Sequence, residues 1–271
     1  RYDAGSNTIF IGDDYADPSL RDYPSQPGAP KTPISIPQVA AALSNPALLA
    51  NQGAGAWLLR ANLVISATAR LDATSASISW LRLDSTPNRA PAFTYVRAEG
   101  GHLNIQGIKV TSWQTISNTV DLNTADGRSY LLARYGGRMD VAGSELAYLG
   151  YADGEPSGLA WRRLATDGRP ETGPTGSIVN SNVHHNYFGL YSFEATKLAV
   201  SGSQFHDNIA YGFDPHDRSN GFVVTGNQIY NNGKHGIIFS RGCYNNLISG
   251  NQVYGNQQHG IMLDRGSDGN T

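Results

Sequence analysis

The sequence predicts an all-β chain wound as a right-handed parallel β-helix, a solenoid behind a short N-terminal helical cap. Three observations predict it. First, between about Ser177 and Thr271 the chain repeats every 22 to 24 residues. Second, each unit holds short apolar runs such as Phe222-Val-Val-Thr, Gly236-Ile-Ile-Phe and Gly260-Ile-Met-Leu. These are too short for helices, and the Gly/Asn turns between them are too frequent. Third, the repeats carry an Asn column (Asn186, Asn208, Asn232, Asn256) and a Gly column (Gly189, Gly212, Gly236, Gly260). Both columns are read as structural. Asn at a repeating turn is expected to adopt the left-handed conformation and to hydrogen-bond the Asn of the next coil. A leucine-rich repeat would need regularly spaced leucines and a helical turn per unit, and a β-propeller would need longer blades.

Upstream the pattern is less regular but similar in kind. Leu58 to Leu83 and Tyr95 to Val110 alternate apolar residues with small turns, and Ser129 to Leu149 reads as two strands around Tyr135-Gly-Gly. Residues 1–55 are read as an irregular segment followed by the cap. Within it, Pro37 to Asn51 predicts one or two short helices, broken at Pro46. Residues 56–271 are read as the β-helix. The stretch Tyr151 to Gly176 exceeds one coil and is expected to project as a loop. The chain begins at Arg1 without a Met or a visible signal peptide, which suggests a processed or truncated start. It stops in mid-repeat at Gly269-Asn-Thr271, which suggests that the natural protein continues.

Composition narrows the function. The chain has 271 residues, 15% of them charged, with a formal net charge of −2 and no run of like charge. That argues against a nucleic-acid partner or a membrane-binding tail. No apolar stretch is long enough to span a membrane. Cys243 is the only cysteine, so neither an intrachain disulfide nor a cysteine-built zinc site is available.

The chemistry is concentrated in Tyr211-Gly-Phe-Asp-Pro-His-Asp-Arg218. Pro215 between ionisable residues is a combination that strands normally avoid. Stacking the coils on the Gly column puts Tyr211, His235 and His259 in one line and Asp217, Arg241 and Arg265 in another. His216 then aligns with Ser240 and Asp264, and Phe193 and Glu194 take the matching places one coil earlier. Coils about 4.8 Å apart bring Tyr211, His216, Asp217, His235, Arg241 and Arg265 onto one face within about 10 Å. His102, His184, His185 and His206 are read as turn or surface residues. Arg163 and Lys234 are solvated charges or ligand contacts, and Tyr191 and Phe193 are read as stacking partners. Asp214, His216 and Asp217 could bind a divalent cation, but the surrounding arginines favour an anionic ligand.

These residues resemble the signature of the mannuronan C-5-epimerases, and among them the periplasmic, polymer-level bacterial enzymes. The resemblance rests on Asp207-Asn-Ile-Ala-Tyr-Gly-Phe-Asp-Pro-His-Asp-Arg-Ser219, Lys234-His-Gly-Ile-Ile-Phe-Ser-Arg241 and His259-Gly-Ile-Met-Leu-Asp-Arg265, and it covers the chain from about Arg128 onward. It implies a groove for a linear, polyanionic polyuronate and a periplasmic or secreted location. It also implies that His216 is the catalytic base, oriented or tuned by Asp214. Arg241 would neutralise the substrate carboxylate, and Tyr211 would be an acid or base. Asp217, Arg218, Lys234, His235, His259, Asp264, Arg265 and Arg163 would contact substrate. No metal or other cofactor is expected. No lysine matches the one used by the calcium-dependent branch, so the second proton-transfer group is left among Tyr211, His235 and water.

The implied reaction suits these residue types. The C5 proton lies α to a carboxylate, so its removal needs a base of near-neutral pKa and a cation against the developing enediolate. A lyase shares both groups and differs only in losing the C4 oxygen before C5 is reprotonated. An inverting glycoside hydrolase would use Asp214, Asp217 and Asp264, to which the adjacent His and Arg are less suited. A non-catalytic carbohydrate-binding β-helix would explain the ladders but not the Asp-Pro-His-Asp-Arg cluster.

Overall fold

The computed structural model describes residues 1–12, 32–67, 69–86, 93–153, 157–163 and 173–271. Its strands form three long sheets in which the strands of successive coils pair in parallel, while Tyr2–Asp3, Leu49–Asn51 and Thr119–Val120 pair antiparallel at their margins. The first sheet runs from Tyr2–Asp3 and Thr8–Ile11 through Asn62–Ile65, Tyr95–Glu99, Tyr130–Arg134, Gly158–Arg162, Phe188–Phe193, Phe213–His216 and Ile237–Ser240 to Ile261–Asp264. Side chains alternate across it. Leu190, Ser192, Phe213, Ile237 and Phe239 face the interior, while Tyr191, Asp214, His216 and Ile238 lie on the outer face. Inside, aromatic rings interlock, with Phe213 5.9 Å from Phe239 and 6.1 Å from Phe205.

Both predicted columns form, each for a concrete reason. The Asn186 N–H donates to Asn208 Oδ1 (3.0 Å), the Asn208 N–H to Asn232 Oδ1 (3.1 Å) and the Asn232 N–H to Asn256 Oδ1 (3.0 Å). A buried amide ladder thus satisfies main-chain donors at a turn where the sheet cannot. The left-handed residue is not the ladder Asn, as expected, but the one before it: His185, Asp207, Asn231 and Gly255 have φ of 52° to 64°. The ladder Asn must turn its side chain inward, so the bend is made one residue earlier. The Gly column is set by contact distance. A Cβ on Gly212 would lie 2.7 Å from both Gly236 O and Asn232 Nδ2.

The N-terminal region departs from expectation at its start: Thr8–Ile11 is not irregular but adds to the first sheet in parallel with Asn62–Ile65. Of the one or two short helices expected, a single one forms, Ile36–Leu43. Ser35 N–H donates to Gln38 Oε1 (2.8 Å) at its start, and Ser44 ends it with φ 49°. Ile36 and Val39 bury its inner face. After Pro46 the chain becomes the strand Leu49–Asn51, antiparallel to Ala56–Leu59. Within the expected loop at 151–176, Gly158–Arg162 is a strand of the first sheet; residues 154–156 and 164–172 lie outside the described residues. No helix among the described residues is long and apolar enough to cross a membrane.

Candidate active site

The outer face of the first sheet carries the site, and the register assigns each residue to a line along the solenoid. The middle line runs Ala160, Tyr191, Asp214, Ile238, Met262. At the C-terminal edge of the strands, Phe193, His216, Ser240 and Asp264 follow one another. One residue further on, Glu194, Asp217, Arg241 and Arg265 occupy successive turns, all with φ between 42° and 62°. At the other edge, rings stack as a ladder: Phe188 on Tyr211 (5.4 Å), Tyr211 on His235 (5.5 Å) and His235 on His259 (5.1 Å), the last two pairs within 6° of parallel. The columns expected from spacing are therefore the columns observed, with Asp214 between the two edges.

At the C-terminal edge, His216 Nδ1 is hydrogen-bonded to Asp217 Oδ2. A carboxylate only accepts, so Nδ1 carries the proton and Nε2 keeps its lone pair. Nε2 has no protein partner and opens to solvent. Arg241 Nη1 stands 3.8 Å from the same Asp217 oxygen and is half-exposed. The Tyr191 ring lies 6.1 Å from the His216 ring.

Asp214 is 4% exposed, and its Oδ1 is buried without a hydrogen-bond partner. Burial pushes its carboxyl up to about 7; Lys234 opposes the rise, Asp217 adds to it and Arg241 opposes it. An unpartnered buried oxygen on this face stands out, because buried polar groups are otherwise almost always satisfied. Tyr191, directly beside Asp214 on the preceding coil, is raised to about 12, chiefly by burial.

On the ladder, burial, then Asp214, Tyr187 and Asp264, raise the Tyr211 phenol. The exposed Lys234 ammonium sits 5.1 Å above the Tyr211 ring. His235 is 9% exposed, whereas His259 is exposed.

Other expected contacts are placed differently. Arg218 is hydrogen-bonded to Glu194, which also pairs with Arg163 Nη1 at 3.3 Å. Both arginines thus lead to Glu194, a buried residue one coil before the motif. Arg265 pairs with Asp264 (3.4 Å), whose carboxylate also accepts from Ser240 Oγ (3.0 Å). Ser240 lies one coil from His216, and Asp264 and Arg265 lie two. No group of three or more His, Cys, Asp or Glu suited to a metal ion is found among the described residues. Sequence reasoning missed Glu194 and Tyr191 as parts of the site; their register with Asp217 and Asp214 was the available signal.

Residues 171–271 match the family model described as right-handed beta helix region. The chain is 35% identical over 131 residues to a mannuronan C5-epimerase of Pseudomonas fluorescens, covering 46% of this chain and 24% of that protein. It is 30% identical over 177 residues to a mannuronan C5-epimerase of Pseudomonas aeruginosa, covering 63% and 31%. Over these segments the chain is similar in sequence to mannuronan C5-epimerases. Its fold agrees: the crystal structure of the periplasmic alginate epimerase AlgG superposes with a TM-score of 0.81 at 26% identity, over 88% of this chain and 56% of that one. The matched segments thus make up less than a third of these two epimerases and just over half of the solved chain. The frame shared with the solved epimerase is the solenoid, and the polar residues described above sit on its first sheet.

Proposed function

We propose that this chain converts β-D-mannuronate to α-L-guluronate within polymeric alginate, by proton exchange at C5. The observation that supports it most directly is the His216–Asp217–Arg241 set: an imidazole whose Nδ1 is held by a carboxylate, leaving Nε2 bare, with a half-exposed guanidinium 3.8 Å from the same carboxylate oxygen. His216 Nε2 takes the C5 proton, and the C–H bonding pair moves into the carboxylate to form an enediolate. Asp217 stabilises the resulting imidazolium. Arg241 faces the developing negative charge. Tyr211, kept as a phenol by its raised pKa, delivers a proton to C5 from the opposite edge of the sheet, and solvent returns the proton from His216 to Tyr211. Separation of base and acid across Asp214 suits inversion, which needs proton transfer on two faces.

Asp214 tunes this centre, and Lys234, His259 and Arg265 add positive or polar character along the polymer's path. The relatives' names point to mannuronan and, for the solved structure, to alginate and the periplasm. Both are proposed for this chain, with a polyuronate as its partner. No cofactor is invoked.

Incubation with polymannuronate in D₂O tests the reading. Proton NMR should show guluronate carrying deuterium at C5. Unsaturated chain ends, absorbing in the ultraviolet, would identify a lyase instead, and an unchanged polymer would contradict both.

A further inference from the structure

The two histidines that flank Asp214 are held in opposite tautomers. His216 gives its Nδ1 proton to Asp217. His235 does the reverse: its Nδ1 accepts the main-chain N–H of His259 at 3.1 Å. A main-chain amide only donates, so His235 Nδ1 is bare and the neutral ring carries its proton on Nε2. That Nε2 has no protein partner and opens to solvent. Parallel rings above and below, Tyr211 and His259, fix the plane of the imidazole. The groups facing His235 agree with a neutral ring. Burial, then His259 and Lys234, lower its pKa, and only Asp264 raises it.

We propose that His235 is a tautomer-locked hydrogen-bond donor, which fixes an oxygen of the uronate adjacent to the reacting one. This rests on the epimerase reading, because it takes the polymer to run along the first sheet. His235 lies one coil beyond Tyr211, and coils are spaced by about 4.8 Å, roughly the length of one sugar. The donor therefore meets the neighbouring residue of the chain rather than the one whose C5 exchanges. The same lock excludes His235 as a base, since Nδ1 is engaged and Nε2 is already protonated. Proton abstraction is left to His216 alone. His235 is a positioning residue: it holds the polymer in register without exchanging a proton.

Two measurements test this. Long-range ¹H–¹⁵N correlation of histidine-labelled protein should show His235 as the Nε2–H tautomer at pH 7 and His216 as the Nδ1–H tautomer. An Nδ1–H or imidazolium pattern for His235 would overturn the lock. The variant His235→Phe keeps a ring in the ladder but has no N–H. With polymannuronate its KM should rise about tenfold while kcat stays within about threefold, and His235→Gln, which restores a donor, should recover part of the loss. An unchanged KM in His235→Phe would overturn the proposal, and so would a collapse of kcat at constant KM. If the wild-type chain turns over polymannuronate and His235→Phe matches it, this inference alone fails. If the wild type neither binds mannuronate oligomers nor turns over the polymer, the reaction assignment fails with it.

Discussion

Two faces of the same solenoid carry stacked histidines and tyrosines, and they differ in how their polar atoms are used. On the third sheet, which includes Asn182–His184, Gln204–His206, Gln228–Tyr230 and Gln252–Tyr254, His184 stacks on His206 (5.0 Å), His206 on Tyr230 (4.7 Å) and Tyr230 on Tyr254 (5.1 Å). All four ring nitrogens of its two stacked histidines have partners. His184 uses His185 Nδ1 (2.7 Å) and Glu145 (3.2 Å), and His206 uses Asp207 (2.7 Å) and Asn182 (2.8 Å). Lys109 completes the set on Glu145 at 2.8 Å. On the first sheet the stack is just as regular, but His216 Nε2, His235 Nε2 and the buried Asp214 Oδ1 have no protein partner. Stacking is therefore a property of the repeat, whereas the stacked histidines have all their ring nitrogens partnered on the third sheet and keep unused hydrogen-bonding capacity on the first. In a fold that satisfies its polar groups by register, that residue of capacity marks where a ligand belongs.

The sharpest way to break this contrast is to remove the base. His216→Gln should lower kcat by about 10³-fold or more with the fold intact, since general-base catalysis contributes on that scale. Circular dichroism and steady-state rates on polymannuronate check it; a rate near wild type would remove His216 from the chemistry. Next, Arg241→Leu should cost roughly 10² to 10³ in kcat/KM, because a preorganised cation opposite the enediolate is lost.

Asp214 offers a stability test of the same face. Its carboxyl is raised in the folded protein from 3.8 to about 7. The folded state therefore holds this proton between those values while the unfolded chain has released it. Its contribution is full below pH 4 and is lost as pH rises through 7. Asp214→Asn should remove that loss, raising stability at pH 8 by roughly 1–3 kcal/mol relative to wild type while activity falls. Urea denaturation at pH 5 and pH 8 gives the comparison. The smallest effect is expected on the other face. His206→Ala should cost about 1–2 kcal/mol of stability through its lost partners and leave kcat and KM unchanged, as a parallel urea titration and rate assay would show.

Much of this arrangement was legible in the sequence, because a stacked repeat turns spacing into proximity. Gly212, Gly236 and Gly260 are 24 residues apart, so Tyr211, His235 and His259 could be superposed without a structure. The preceding coil was harder. Gly189 lies 23 residues before Gly212; spacing already aligned Glu194 with Asp217, but Tyr191 belongs to no motif, and its place beside Asp214 appears only in the strand register. Arg218 is inside the motif, yet its partner is Glu194 one coil back, and composition alone points such an arginine at an anionic substrate. At the N-terminus, Thr8–Ile11 joins the first sheet from outside any repeat, which leaves no period to read. The tautomers of His216 and His235 depend on which atom of a neighbour lies against Nδ1, a detail that no spacing rule carries.

The most direct test of the contrast between the two faces is titration of the histidine-labelled protein with a mannuronate oligomer, followed by ¹⁵N resonances of the imidazoles. His216 and His235 should shift with a common saturation curve while His184 and His206 stay in place. Movement of His184 and His206 with His216 and His235 unperturbed would put the ligand on the third sheet and contradict the account.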